Sequence, residues 1–287
     1  MTAREGEDAA TAFVPGHVSG FFSTHPADDP AVAGSRGAGL SVTDGIEVTV
    51  APGTGTTLNG EAATIEAVEY VRDALGVDAA VTVETAVPVG AGFGVSGGAA
   101  LGTALAANAV FECGLSVNEL TTVAHGAEVQ AGTGLGDVVA QRHGGVPVRL
   151  EPGGPQHNEM DAIPARSRVE FVTEGERSTA DVIGGDTGAL TRAGTAALSE
   201  LVREPTLPTF MTASRTFSRE AGLLSEWVRE VVTDVAEAGG DAAMGMLGET
   251  VFALGTGLSD AGYDPQVCQV DPTGATLLPE ASDPALD

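Results

Sequence analysis

Apolar and polar residues alternate over Ile46-Glu-Val-Thr-Val50, the period of a half-buried strand. From Thr64 to Leu75 the apolar spacing becomes helical, and Gly76 supplies the stop. A strand over Ala80 to Val87 leads into the glycine-dense run Pro88-Val-Gly-Ala-Gly-Phe-Gly-Val-Ser-Gly-Gly-Ala-Ala100. An alanine-rich helix follows over Ala99 to Val110. Gly114 reads as the residue that closes this helix, and Ser116-Val-Asn-Glu119 as a capping box opening the next, Val117 to Gln130. A second glycine-dense turn runs from Ala131 to Asp137, ahead of a short helix starting at Val138. Gly145 to Leu150 reads as a strand, which Pro147 assigns to a sheet edge.

Glu151-Pro-Gly-Gly-Pro155 has the composition of a linker, dividing the chain into domains of residues 1–150 and 151–287. Beyond it a strand is predicted over Val169 to Thr173, with helices over Thr187 to Arg203 and Ser214 to Ala238. The latter aligns Phe217, Ala221, Leu224, Val228, Val231 and Val235 on one stripe. Met244 to Leu254 is a glycine-punctuated apolar segment, and Val267 to Val270 a last strand. Phe13 to Leu40, rich in Gly, Pro and single polar residues, is expected to form a long loop pair or a binding surface. The acidic tail Ser282 to Asp287 is expected to fray. Strands and helices of both kinds in one chain give an α+β fold.

Charge narrows the function classes. Forty acidic residues face thirteen basic ones, a net charge of -27, and all thirteen are arginines. Such a chain repels nucleic acid and anionic lipid. The absence of lysine excludes a Walker A loop, a protein-kinase site with its strand lysine, and Schiff-base chemistry. It also suggests adaptation to molar salt, where a Debye length of about 3 Å screens repulsion between surface carboxylates, and hence a halophilic archaeal source. The N-terminus lacks the cationic and apolar regions of a signal peptide, and no run is apolar enough to span a bilayer. Cys113 and Cys268 lack metal or redox spacing. A cytoplasmic location is expected, with no nucleic-acid or membrane partner.

The Pro88–Ala100 run carries the chemistry. Glycine lets backbone N–H groups converge on one anion, and a helix N-terminus adds positive potential. Gly92-Phe-Gly-Val-Ser-Gly97 also matches the dinucleotide pattern G-x-G-x-x-G. The acidic residue at the required distance, however, is Glu112, at the end of a helix that another helix follows, which is not a βαβ unit. A phosphate cradle is the better reading.

Pro88-x-x-x-Gly92-Phe93-Gly94-Val95-Ser96-Gly97 resembles the phosphate loop of the GHMP kinases, P-x-x-x-G-[LF]-G-S-S-A, with Val95 for the first serine and Gly97 and Gly98 for the alanines. Pro15-Gly-His-Val-Ser-Gly20 and Gly245-Met-Leu-Gly248 occupy the positions of the first and third family motifs. The resemblance implies a two-domain fold, an N-terminal domain like ribosomal protein S5 followed by a C-terminal α/β sandwich domain. It also implies ATP and Mg²⁺ as cofactors, a small-molecule substrate, and a homodimer. The version Pro-Gly-His-x-Ser-Gly-Phe-Phe, with Gly34-Ser-Arg-Gly-Ala-Gly39 after it, is similar to the pantoate kinase branch. That likeness implies phosphorylation of D-pantoate to 4-phosphopantoate for coenzyme A biosynthesis. Shikimate, homoserine or mevalonate as substrate stays open, as does a non-catalytic binding protein of the same fold.

Site residues follow from these matches. The resemblance places ATP on Pro88, Gly90, Gly92, Phe93, Gly94, Val95, Ser96, Gly97 and Gly98, and Mg²⁺ on Ser96 and Glu128. Asp137, closing a glycine turn as the catalytic aspartate does in mevalonate-kinase-like members, is the expected general base; an aspartate there also suits a helix start. Arg36 offers a planar fork to the pantoate carboxylate. His17 can hydrogen-bond substrate hydroxyls, and Ser19 and Ser35 complete the expected substrate set. His125, His143 and His157 lack metal-ligand spacing and receive no role.

Overall fold

The computed structural model describes residues 9–175, 187–246 and 248–279. The first eight residues, and the tail from 280 on, with the segment expected to fray, lie outside the described residues. Two long strands dominate, β1 (Ala10–His25) and β2 (Gly34–Pro52), in antiparallel register from Ala10↔Val50 to His25↔Gly34. The expectation of a loop pair over Phe13 to Leu40 is therefore corrected. The segment lacks alternation because both of its faces are covered, so its polar residues sit inside the protein: His17, Ser23 and Ser35 are almost wholly buried. Register shifts at Pro15/Gly16 and Ser19/Phe21 mark bulges that bend the pair.

Short strands β3 (Thr56–Leu58) and β4 (Glu61–Ala63) lead to α1 (Glu66–Leu75), which ends on Gly76 in the left-handed conformation at φ 67°. β5 (Ala79–Thr85) pairs antiparallel with β2. α2 (Val95–Val110) starts four residues earlier than its alanine content suggests, so Val95 to Gly98 form its first turn. Its C-cap is Phe111; Gly114, also left-handed, lies three residues further on. α3 (Val117–Ala131) begins with the predicted capping box between Ser116 and Glu119. α4 (Asp137–His143) is followed by β6 (Val146–Glu151) and β7 (Glu159–Ile163).

β6 is flanked by β2 and by β7, so it is not an edge strand. Pro147 is tolerated because β2 meets β6 only at Val148 and Arg149. Glu151 ends β6 and residues 152–155 lie in the β6–β7 connection. The first sheet runs in the order β12-β1-β2-β5-β3-β4, with β12 (Thr276–Leu277) returning from the end of the chain.

The second sheet has the order β11-β8-β10-β9, from β8 (Arg168–Gly175), β9 (Asp241–Gly245), β10 (Glu249–Leu254) and β11 (Gln266–Gln269). Helix α5 (Gly188–Arg203) packs on β1 and β2 of the first sheet, while α6 (Leu207–Glu220), α7 (Glu226–Glu237) and α8 (Gly257–Asp260) pack against the second. The single helix expected over Ser214 to Ala238 is two. Gly222 turns left-handed at φ 69° and Ser225 caps a new helix through its hydroxyl, while the stripe keeps its phase: Phe217, Val228, Val231 and Val235 are all buried. Phe210 joins the layers, with ring centroids 6.2 Å from Phe21 of β1 and 6.2 Å from Phe252 of β10. The whole is the mixed α+β architecture expected of a two-domain GHMP kinase.

Candidate active site

The N-terminus of α2 opens onto a cleft of about 370 Å³. Gly94, the N-cap, is left-handed at φ 66° and makes no side-chain cap, which leaves the first-turn N–H groups of α2 facing outward. The loop before it is held from behind at several points. His17 N donates to Phe93 O (3.0 Å) and Thr250 Oγ1 of β10 donates to Ala91 O (2.8 Å). The buried Phe93 ring lies 4.5 Å from Phe171 of β8. Both sheets therefore hold this one turn.

Of the residues expected to bind nucleotide, Gly90, Gly92, Phe93, Gly94, Val95 and Ser96 line the cleft; Pro88, Gly97 and Gly98 do not. Apolar Leu58, Ile65 and Val89 form another part of its wall.

Ser96 Oγ donates to Glu128 Oε2 (2.9 Å) and lies 3.1 Å from Thr133 Oγ1. The capped helix α3 delivers Glu128, 1% exposed, to this point. Burial, with the charge of Asp137 added, pushes the Glu128 carboxyl up to about 7, against the pull of hydrogen bonds from Ser96 and Thr133. One carboxylate and two hydroxyls converging beside the N-terminus of α2 suit Mg²⁺, a hard cation that takes few protein oxygens and shares the rest with phosphate and water. Among the described residues no group of three or more His, Cys, Asp or Glu side chains could hold a metal by itself.

Asp137 opens α4, and its Oδ1 lies 2.7 Å from His17 Nδ1. His17 is fully buried, and burial lowers its pKa despite the carboxylate. The imidazole is therefore neutral and donates its Nδ1 hydrogen. Burial works against the Asp137 charge too, but that hydrogen bond and the nearby Arg149 guanidinium outweigh it, so the carboxyl is held below its ordinary range. Asp137 is 17% exposed and reaches the cleft; His17 stands behind it and does not line the cleft.

The remaining expected substrate residues separate. Ser19 lines the cleft. Ser35 is buried, and its hydroxyl donates to Leu135 O at 3.3 Å. Arg36 is not brought to the cleft; on β2 it forms an ion pair with Glu151. The residue absent from the expectation is Arg149 of β6. It is 2% exposed, and its Nε and Nη1 have no hydrogen-bond partner. Its Nε lies 2.8 Å from the point a Cβ on Gly136 would occupy, one residue before Asp137. The signal was visible: one charge within the apolar strand Val146-Pro-Val-Arg-Leu150.

Residues 62–145 match the model of the GHMP kinases N-terminal domain. A pantoate kinase of Thermococcus kodakarensis is 36% identical over 262 residues, covering 85% of this chain and 86% of that protein. The chain belongs to the GHMP kinases. Phosphoryl transfer to a small metabolite is the chemistry of this family member. A pantoate kinase of Methanocaldococcus jannaschii is 32% identical, over 84% of this chain and 91% of that one. A solved phosphotransferase related to the CoA biosynthesis pathway superposes with a TM-score of 0.85 at 30% identity, over 96% of this GHMP kinase and 100% of its counterpart. A homoserine kinase from Cytophaga hutchinsonii shares the fold at a TM-score of 0.69 and 18% identity. No helix among the described residues is long and apolar enough to cross a membrane.

Proposed function

We propose that this GHMP kinase transfers the γ-phosphoryl group of ATP to D-pantoate, giving 4-phosphopantoate on the archaeal route to coenzyme A. The observation that carries the reading is Arg149: a guanidinium whose charge acts on the Asp137 of the cleft, with Nε and Nη1 unpartnered, buried just behind the cleft lining as His17 is. Burying such donors without partners costs free energy, which a carboxylate-bearing substrate recovers. Shikimate shares the carboxylate; the likeness to two pantoate kinases over most of their length favours pantoate over it.

Each residue then has a task. The first turn of α2 receives the phosphates, since its N–H groups replace the lysine this chain lacks. Ser96 and Glu128 hold Mg²⁺, with Thr133 beside them; the ion neutralises phosphate oxygens when bound. Asp137 accepts the proton of the substrate hydroxyl through its cleft-facing oxygen while His17 fixes the other. Arg149 gives the carboxylate a charge-assisted hydrogen bond. The paired Arg36 has no part in this arrangement. A homodimer, working in a salt-rich cytoplasm, belongs to the same reading.

The test is ADP release by the purified protein in molar KCl, offered D-pantoate, shikimate, homoserine and mevalonate with and without Mg²⁺. Release that depends on both D-pantoate and Mg²⁺ is expected. Turnover of another acceptor in place of pantoate overturns the substrate and leaves the phosphotransfer intact.

A further inference from the structure

Gln141 is fully buried one helical turn beyond Asp137 on α4, and Asp137 and Gln141 share a face. Its Nε2 lies 3.0 Å from Pro15 O and 3.1 Å from Gly94 O. Both neighbours are carbonyl acceptors, so the atom between them is the amide nitrogen, with both hydrogens used. One acceptor belongs to the strand that carries His17; the other is the N-cap of the phosphate-binding helix. The same Gly94 carbonyl also accepts the first helical bond of α2, from Gly98 N at 2.8 Å.

Gly97 and Gly98 gain a meaning from this contact. Neither has a positive φ, so neither is needed for its backbone conformation. Both lie outside the cleft lining. A Cβ on Gly97 would stand 3.2 Å from Val138 Cγ2 and 3.3 Å from Gln141 Oε1, and one on Gly98 3.1 Å from Nε2. Gly98 also makes room for Ile46, whose Cδ1 would be 2.7 Å away. The Oε1 atom has no partner, so the amide is placed for its two donors alone.

We infer that Gln141 is a positioning residue that locks the phosphate-binding turn to the helix bearing Asp137, so that the donor phosphate and the proton acceptor keep a fixed separation. The inference rests on the kinase reading for its consequence, though the clamp itself does not depend on which acceptor is used. Phosphoryl transfer relies on alignment, and a shift of about 1 Å between reacting groups costs on the order of 100-fold in rate. An apolar side chain of equal length fills the site and cannot hold the two carbonyls together.

The experiment compares wild type, Gln141→Met, Asp137→Asn and the double variant, with kcat, both KM values and the calorimetric Kd of Mg²⁺-AMPPNP measured for each. For Gln141→Met, kcat is expected to fall about 10- to 100-fold, nucleotide Kd to weaken several-fold, and the pantoate KM to stay within twofold. In the Asp137→Asn background the same change lowers kcat less than threefold further, because the group it positions is already gone, while nucleotide affinity still weakens. Equal loss of kcat in both backgrounds overturns the inference, as does a Gln141→Met protein with wild-type kcat. Should Gln141→Met fail to fold, Gln141→Glu decides. Only its protonated form can donate to a carbonyl, so its kcat relative to wild type must rise as pH falls from 8.5 to 6.5; a flat ratio overturns the clamp. If wild type phosphorylates nothing in the acceptor panel, the kinase reading has failed, and the nucleotide Kd of Gln141→Met still tests the clamp.

Discussion

His17 Nδ1 and Asp137 Oδ1 lie 2.7 Å apart although 120 residues separate them, and the buried imidazole leaves the other oxygen of Asp137 to the cleft. On the proposed mechanism Asp137 must remain ionised in order to accept a proton, and the pairing gives it a neutral donor. A protonated histidine here would make Asp137 a poorer base, and burial prevents that.

Asp137→Asn tests the base without disturbing the fold. Asparagine keeps an oxygen to accept the His17 hydrogen but takes no proton at neutral pH. Loss of a general base costs about 10²- to 10⁴-fold, so kcat should fall in that range with melting temperature and ATP KM little changed. Activity within threefold of wild type, measured by ADP release, would return Asp137 to a helix-opening role alone.

Much of this arrangement was legible in the sequence because it is local. The Ser116–Glu119 box, the Gly76 stop and the strand–glycine–helix order around Ser96 depend on residues a few positions apart. β1 and the first part of β2 were not legible, since coverage of both faces erases the alternation that marks a strand, whereas Ile46 to Val50 of β2 keeps that alternation and was read from it. The break at Gly222 was hidden for another reason: α6 and α7 keep one apolar phase across it. Arg149 was visible as a misplaced charge, but only the fold brings it to Gly136 and leaves Arg36 to Glu151.

Glu128 makes stability depend on pH. Its folded pKa of about 7 lies above the ordinary 4.5. The folded state keeps a proton that the unfolded chain releases, so the contribution is complete below about pH 4.5 and is lost as pH rises through about 7. The shift corresponds to something on the order of 3 kcal/mol. Glu128→Gln should therefore melt several degrees higher than wild type at pH 8 and close to it at pH 5, in calorimetry without Mg²⁺ or nucleotide. The variant should also lose activity. Equal melting temperatures at pH 8 would show that Glu128 is ionised without strain in the empty site.

Salt should act on the whole molecule. A net charge of -27 with no lysine leaves surface repulsion unscreened at low ionic strength. The Debye length falls from about 10 Å at 0.1 M to about 3 Å at 1 M, so melting temperature is expected to climb with KCl from tenths of molar into the molar range. A profile that is flat or descending above 0.1 M would contradict adaptation to high salt.

Arg149 and Arg36 give opposite expectations for one assay. Arg149 is buried with Nε and Nη1 unpartnered near Asp137, whereas the Arg36 guanidinium is about one-third exposed and paired with Glu151 through Nη2, with only its Nε buried and unpartnered. A charge-assisted hydrogen bond to a carboxylate contributes roughly 1.5–3 kcal/mol, so Arg149→Met should raise the pantoate KM by about 10- to 150-fold and barely move the ATP KM. Arg36→Met removes a partly exposed ion pair, a class typically worth under about 1 kcal/mol, and should leave both KM values within twofold. Pantoyl lactone, which has no carboxylate, should bind weakly and equally to wild type and Arg149→Met. The reverse pattern, with Arg36→Met losing pantoate and Arg149→Met retaining it, would move the carboxylate site to the β1–β2 end of the molecule and reduce Arg149 to a counter-charge for Asp137.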